Sequence, residues 1–362
     1  MNDILLPVLN RIEARCGSVE VCELWGSSKA LFLLALQRAS RRPLMIVTAS
    51  DEDATAIVDD LQFFSSAAPF FSGSAEPPTI FQFPSWGVLP FEPDSPDSTT
   101  VGERMRFLHH AVHGANGLFV IPVHSLIQKV PPRDLFSGGT ATVRVTTPVN
   151  PDQLIRMFLT AGYESASIVT RVGEFSGRGG IIDFFSPALS HPVRLELFGD
   201  TVESLRLFDP ETQRSIGKLD QALILPVREI IITEEGLERL SSRIEDDMLL
   251  EQFRSGSLPP GGEFLAPFLY TMESLDRYFP DNTLLALIEP DDILKGTGDA
   301  WERALSGRAE ESGEGRVLPE TAELYLSERE VRDSLSRFCN LNIRLLGTAP
   351  DCHSMDTRSL AS

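Results

Sequence analysis

The loop after the first apolar run is the place where this sequence could carry nucleotide chemistry. A phosphate-binding loop needs G-x-x-x-x-G-K-[ST], in which backbone amides face the phosphates, the lysine contacts the β- and γ-phosphates and the hydroxyl binds Mg²⁺. Lys29 is present, but Glu23 and Ser28 replace the two glycines and Ala30 replaces the hydroxyl residue. We therefore predict a degenerate nucleotide loop, marked by Gly26, Ser28 and Lys29, and no catalytic residues.

Cysteine and histidine spacing indicates no metal site. The four cysteines are Cys16, Cys22, Cys339 and Cys352, and none of them forms a C-x-x-C pair. Three clustered histidines, His109, His110 and His113, fall on one helical pattern without acidic residues at ligand spacing. We expect no bound metal and four reduced, structural thiols, as is typical of a cytosolic protein.

Composition limits the classes of function that this chain can have. Its 362 residues predict two or three domains, and its formal net charge of −20 disfavours independent binding to DNA or RNA. The apolar runs are far shorter than the roughly 20 residues of a membrane span, and no signal-peptide pattern opens the chain. We expect a cytoplasmic protein without membrane contact.

The elements around the loop alternate between strand and helix. Leu44–Thr48 and Gly117–Val123 are continuous apolar runs typical of buried strands, whereas Ser28–Ala39 and Asp51–Phe64 have helical spacing. This alternation predicts an α/β fold with a parallel sheet covered on both faces.

A proline-rich loop interrupts this first region between residues 84 and 96. Its four prolines exclude regular structure there. We expect Trp86 and Phe91 to anchor the loop to the protein. The alternative is that they form an aromatic stacking surface.

The middle and the last third of the chain have different patterns. In the middle, Asn150 and Pro151 begin a helix, strands are expected at Ile168–Val172 and Gly180–Phe185, and a hairpin spans Val193–Phe208. This α+β unit ends near Leu225-Pro226. In the last third we expect one amphipathic helical segment, Glu234–Phe253, and two strands, Leu284–Ile288 and Ile343–Leu346. Two strands are too few to form a sheet of their own, so we expect this part of the chain to pack on the first region.

The hairpin defines a candidate binding face. Alternation places Val193, Leu195 and Leu197 on the core side and Arg194, Glu196 and Phe198 on the opposite side. An aromatic residue beside an arginine is typical of an interface, and Arg178 lies unshielded among glycines. The alternative is a solvated pair of Arg194 and Glu196 beside a lone exposed aromatic.

Several short motifs occur in an order that resembles one known family. They are Phe83-Pro84-Ser85-Trp86, Leu89-Pro90-Phe91, Gly173-Glu174-Phe175, Arg178-Gly179, Pro192-Val193-Arg194-Leu195, Ser204-Leu205-Arg206, Leu225-Pro226 and Phe279-Pro280. This set resembles the bacterial transcription-repair coupling factors over about residues 15 to 346.

The resemblance implies a fold and a domain order. It implies a helicase-like domain with a degenerate P-loop (RecA-like), split in sequence by a small inserted α+β domain that binds a partner. The expected parts are residues 1–126, the inserted domain 127–226, a segment 227–346 that packs on the first part, and a truncated linker 347–362.

The resemblance also implies a partner and its site. The partner is the excinuclease A subunit, and the site residues are Arg178, Arg194 and Phe198, with Glu196 on the same strand face. Arg171 matches an arginine of the excinuclease B subunit. We expect substitution of Arg194 to leave stability almost unchanged.

The implied function is that of an adaptor in transcription-coupled nucleotide excision repair. The chain would recruit the A subunit as a monomer without a cofactor and without enzymatic activity. RNA polymerase, DNA, ATP and Mg²⁺ would be bound only by other parts of the full-length relatives. The alternative is a nucleotide- and DNA-binding helicase-like domain with residual ATPase activity.

Overall fold

The computed structural model describes residues 2–14, 18–66, 78–313, 315–345 and 353–354. Its helices are α1 (Asn2–Glu13), α2 (Ser28–Ser40), α3 (Asp51–Ser66), α4 (Ser98–Val112), α5 (Val123–Leu126), α6 (Arg133–Gly138), α7 (Pro151–Thr160), α8 (Glu234–Ser241), α9 (Asp247–Arg254), α10 (Ala266–Leu269), α11 (Pro290–Gly313), α12 (Thr321–Leu324) and α13 (Glu328–Leu335). Its strands are β1 (Val19–Cys22), β2 (Leu44–Thr48), β3 (Thr79–Gln82), β4 (Gly117–Pro122), β5 (Ala141–Arg144), β6 (Glu164–Ser165), β7 (Glu174–Arg178), β8 (Ile181–Phe184), β9 (Val193–Phe198), β10 (Thr201–Phe208), β11 (Ser215–Leu219), β12 (Gln221–Ile224), β13 (Leu284–Ile288), β14 (Cys339–Arg344) and β15 (His353–Ser354). Apart from β15, the expected linker 347–362 lies outside the described residues.

The first sheet is parallel throughout, in the order β15-β1-β14-β13-β2-β4-β3. Every residue of β2 and β4 is buried. Along β2, Leu44 and Ile46 face a core that includes residues of α2 and α3, whereas Met45 and Val47 face a core that includes residues of α4. The mixed α/β fold and its parallel sheet, covered on both faces, are therefore confirmed.

Strands from the two ends of the chain share this sheet. Leu284 of β13 pairs with Leu44 of β2 on one side and with Cys339 of β14 on the other. The strands after residue 283 therefore complete a sheet that the strands before residue 123 begin.

A second sheet lies in the middle of the chain, in the order β11-β10-β9-β8-β7-β6. Its pairs are antiparallel except for β6 and β7. Helix α7 begins as expected, with the Asn150 side chain accepting a hydrogen bond from the backbone N–H of Gln153 (3.0 Å) and Pro151 in the first turn. Leu154 and Phe158 of α7 pack on the core face of this sheet. We call the opposite side the outer face.

The strand expected at Ile168–Val172 does not form. The Glu174 carboxylate accepts hydrogen bonds from the backbone N–H groups of Thr170 (2.8 Å) and Arg171 (2.9 Å). These two N–H groups therefore cannot donate to a neighbouring strand, and the chain changes direction before β7. The prediction was wrong because a local side-chain acceptor replaced the ladder.

The single helical segment expected at Glu234–Phe253 is also wrong in part. The structure has two helices, α8 and α9, with residues 242–246 between them. Asp246 caps the second helix by accepting from the backbone N–H groups of Met248 and Leu249, both at 3.0 Å. An aspartate at this position favours a new helix start over continuation.

The proline-rich loop is anchored by its aromatic residues, as expected. Phe91 is fully buried and Trp86 is 7% exposed. The indole N–H of Trp86 donates to Glu229 at 2.7 Å, and its ring meets Phe264 edge-on. An accessible stacking surface is therefore excluded for these two side chains.

Cys22 departs from the expected thiol chemistry. It is buried and disulfide-bonded, whereas Cys339 is a free thiol. The expectation of four reduced cysteines was therefore wrong for Cys22. Among the described residues, no helix is long and apolar enough to cross a membrane.

The histidines of α4 predict how stability depends on pH. Burial, together with the neighbouring His113 and His110, lowers the pKa of His109 from 6.5 to about 4. Between these two pH values the unfolded chain binds more protons than the folded chain, so stability falls as the pH falls. We expect His109→Gln to make this decline shallower in thermal melts between pH 7 and 4. An unchanged slope in His109→Gln would contradict the assignment.

Candidate partner-binding site

Strand register places the expected binding residues on the outer face. Val193 and Leu195 of β9 are fully buried against α7, and Arg194, Glu196 and Phe198 alternate with them. The expected core side of the hairpin is therefore confirmed for Val193 and Leu195, and Leu197 packs against the same core while remaining partly exposed.

Phe198 is one of the two most exposed large apolar side chains among the described residues, at 79%. It ends β9, opposite Thr201, and the two-residue turn Gly199-Asp200 follows it. Gly199 has φ +61°, a conformation that glycine adopts without steric cost. The tight turn therefore holds an aromatic ring at the rim of the sheet, where a partner can cover it.

Arg194 is already engaged within the protein. Its Nε and Nη2 donate to the two carboxylate oxygens of Asp183 at 2.8 and 2.7 Å, and its guanidinium lies 4.9 Å from the centroid of the Phe208 ring. The hydrogen bonds from Arg194 to Asp183 raise the pKa of Arg194. The side chain is only 27% exposed. Arg194 lies on the outer face as expected, but it is paired and largely covered rather than fully exposed, because Asp183 lies directly opposite it on β8.

Arg178 lies on the same face as Arg194. It pairs with Ile181 across the β7–β8 hairpin, and Ile181 in turn pairs with Glu196 of β9. Arg178 is exposed, and its side chain makes no hydrogen bond or ion pair with the described part of the chain. Of the three expected arginines, Arg178 is therefore the one that can contact a partner without first breaking a contact within the protein.

The remaining two expected residues are held by internal contacts. Glu196 accepts from the Ser204 hydroxyl at 2.6 Å and pairs with Arg206 at 3.2 Å. Arg171 is 76% exposed and lies 3.0 Å from Glu174. Burial alone would raise the pKa of Glu174, but hydrogen bonds from Thr170 and Arg171 outweigh it and lower that pKa. Glu196 and Arg171 thus each have a partner within the protein.

Comparison with known proteins identifies the segment that carries this face. Residues 142–229 match the family model of the UvrB interaction domain. All five expected binding residues lie inside that range. The transcription-repair-coupling factor of Myxococcus xanthus is 31% identical over 346 residues, which cover 90% of this chain and 28% of that protein. The resemblance to transcription-repair coupling factors is confirmed.

Two further coupling factors give the same result over shorter ranges. That of Escherichia coli (strain K12) is 25% identical over 73% of this chain and 23% of its own length. That of Staphylococcus aureus (strain Mu50 / ATCC 700699) is 29% identical over 66% of this chain and 19% of its own length. The chain thus spans about a quarter of the length of these coupling factors.

Two cations of the outer face were not found by sequence reasoning. Arg206 of β10 lies directly opposite Arg194, and Lys218 of β11 lies directly opposite Arg206. Alternation along β10 could have placed Arg206 on the outer face. Its neighbours could not be found in this way, because cross-strand pairing depends on register between separate strands.

The loop for which the sequence predicts a degenerate nucleotide site lies between the carboxyl end of β1 and the start of α2. Gly26 has φ +51°, and the Ser28 hydroxyl donates to the Trp25 carbonyl at 2.7 Å within the loop. Lys29 is partly buried in the first turn of α2. Ala30, at the position of the Mg²⁺-binding hydroxyl, is fully buried. Residue 30 thus offers a methyl group to the core and no oxygen to a metal.

Proposed function

We propose that this chain is the adaptor module of a transcription-repair coupling factor and recruits the excinuclease A subunit through the outer face. The observation that carries the proposal is the exposed set of Phe198 and Arg178 beside Arg194, within a segment that matches the UvrB interaction domain. Aromatic and arginine side chains dominate the binding energy of protein interfaces. The module acts in the cytoplasm as a monomer in transcription-coupled nucleotide excision repair.

The rest of the chain serves this module as a scaffold. We propose a helicase-like domain that is split in sequence, residues 1–126 and 227–346, with the partner-binding domain 127–226 inserted between its parts. The shared parallel sheet, in which β13 lies between β2 and β14, supports this division. RNA polymerase, DNA, ATP and Mg²⁺ are bound by other parts of the full-length coupling factor.

A matched pair of substitutions tests the proposed site. Phe198 and Met248 are both 79% exposed, but only Phe198 lies on the outer face. Because a central aromatic contact contributes at least about 2 kcal/mol when it is truncated, Phe198→Ala should weaken binding to the A subunit about 30-fold or more. Met248→Ala should bind like the parent chain. The measurement is a calorimetric titration of the purified A subunit with the whole chain.

The titration has two outcomes that reject the proposal. If the parent chain does not bind the A subunit, the proposed partner is wrong. If the Phe198→Ala variant binds as tightly as the parent, the outer face is not the binding site.

The second candidate function is a nucleotide- and DNA-binding helicase-like domain with residual ATPase activity. Against it, we propose that this chain neither hydrolyses ATP nor needs a cofactor. The buried methyl group of Ala30 and the replacement of both motif glycines support this view. We expect no phosphate release and no saturable ATP binding in an equilibrium titration. Saturable binding that Lys29→Ala abolishes would favour the ATPase instead.

A further inference from the structure

A row of three cations crosses the outer face perpendicular to its strands. Arg194 on β9, Arg206 on β10 and Lys218 on β11 occupy directly opposed positions, so we call them the cationic row. Adjacent strands lie about 4.8 Å apart, and the row therefore extends over roughly 10 Å. At one end of the row, the next directly opposed position, on β8, is occupied by the acidic residue Asp183.

This arrangement is electrostatically unfavourable in the isolated protein. Like charges in directly opposed positions of a sheet destabilise it. Two carboxylates lie among the cations: Asp183 accepts hydrogen bonds from Arg194, and Glu196 is shared by Arg206 and the Ser204 hydroxyl. The row also contrasts with the chain as a whole, whose formal net charge is −20. This local excess of positive charge points to a negatively charged ligand.

Two cations of the row keep unused hydrogen-bonding capacity. The buried Nε of Arg206 meets no acceptor, and its guanidinium makes one ion pair, with Glu196 at 3.2 Å. Lys218 is exposed and makes no hydrogen bond or ion pair with the described residues. A partner that places carboxylates over β10 and β11 would supply acceptors for the Lys218 ammonium group and for the exposed part of the Arg206 side chain, which is 40% exposed.

We propose that the cationic row binds an acidic patch of the excinuclease A subunit, extending the interface from Phe198 across the strands to β11. This inference rests on the proposed function. It adds Arg206 and Lys218 to the binding residues and gives the partner surface its charge. Arg206 offers a planar fork for carboxylates, and Lys218 at the rim accelerates and orients the encounter.

A protein partner fits the row better than a nucleic acid does. Asp183 and Glu196 lie among the cations, where they would repel a phosphate backbone but can accept donors from a mixed protein surface. The strongly negative net charge disfavours approach of a polyanion further.

The test combines binding with stability. In the whole chain, the double variant Arg206→Gln/Lys218→Gln should bind the A subunit about tenfold more weakly at roughly 150 mM salt. Its affinity should also depend less on salt, because fewer charges are screened. Its melting temperature should equal or exceed that of the parent, because the repulsion is relieved. A purely structural role would lower the melting temperature instead. Lys295→Gln, which removes an exposed lysine of α11, is the matched control and should change neither quantity.

The outcomes separate this inference from the function on which it rests. If Phe198→Ala weakens binding while the double variant binds like the parent, the cationic row is not part of the interface, although the proposed function stands. If the parent does not bind the A subunit, both proposals fail. If duplex DNA or RNA displaces the A subunit from the parent but not from the double variant, the cationic row binds the phosphate groups of nucleic acid. The proposal that it binds an acidic protein patch is then overturned.

Discussion

Replacing Glu229 by alanine should lower the free energy of unfolding by about 3–5 kcal/mol, because it leaves a buried guanidinium without its counter-charge. Arg104 is fully buried and Glu229 is 5% exposed. Arg104 Nε and Nη2 donate to the two oxygens of Glu229, Nη2 at 3.0 Å, and Nη1 donates to the Pro84 carbonyl at 2.7 Å. The Phe83 ring lies 3.8 Å below the guanidinium carbon. The pair therefore joins α4, the proline-rich loop and the segment that follows the second sheet.

Chemical denaturation of the whole chain measures this effect. Glu328→Ala is the matched control, since it breaks an ion pair with Arg332 whose two side chains are 49% and 59% exposed. Exposed pairs contribute at most about 1 kcal/mol. The double variant Arg104→Met/Glu229→Leu should recover part of the loss, because apolar side chains of similar volume need no counter-charge, although the Trp86 indole N–H is left without its acceptor. A loss below about 1 kcal/mol in Glu229→Ala would show that the pair does not hold these segments together.

The Arg104–Glu229 pair also shows what sequence reasoning could not reach. Leu44–Thr48 was recognisable as a buried strand because its signal is local: five consecutive residues that are all apolar or β-branched. Arg104 and Glu229 are 125 residues apart, and neither position carries a local pattern that selects the other. Their contact follows only from the assembled fold.

The binding face was predictable along a strand but not across strands. Alternation within β9 identified the outer positions of Arg194 and Phe198 correctly, since side-chain direction has a period of two residues. The partner of Arg194 required the β8–β9 register, which the sequence between the two strands does not specify. For this reason the pairing of Arg194 with Asp183, and its position directly opposite Arg206, were missed.

Arg194→Ala should therefore reduce both binding and stability. Truncating an interfacial arginine that is partly desolvated costs about 2–5 kcal/mol of binding free energy, so the affinity for the A subunit should fall about 30-fold or more. The same change removes both hydrogen bonds to Asp183, which is only 14% exposed. An unpaired, mostly buried carboxylate should lower the free energy of unfolding by about 1–3 kcal/mol, in contrast to the negligible effect expected from the sequence.

A second substitution separates the two effects of Arg194. In Arg194→Ala/Asp183→Ala no charge remains unpaired, so most of the stability should return, whereas the lost affinity should not. Arg194→Lys keeps the charge but cannot donate to both Asp183 oxygens in one plane, and its affinity should lie between those of the parent and the alanine variant. The measurements are a binding titration and a denaturant melt for each variant. If the double variant regained full affinity along with stability, Arg194 would act only by supporting the fold, and the contact with the partner would have to be made by Arg178 and Phe198 without it.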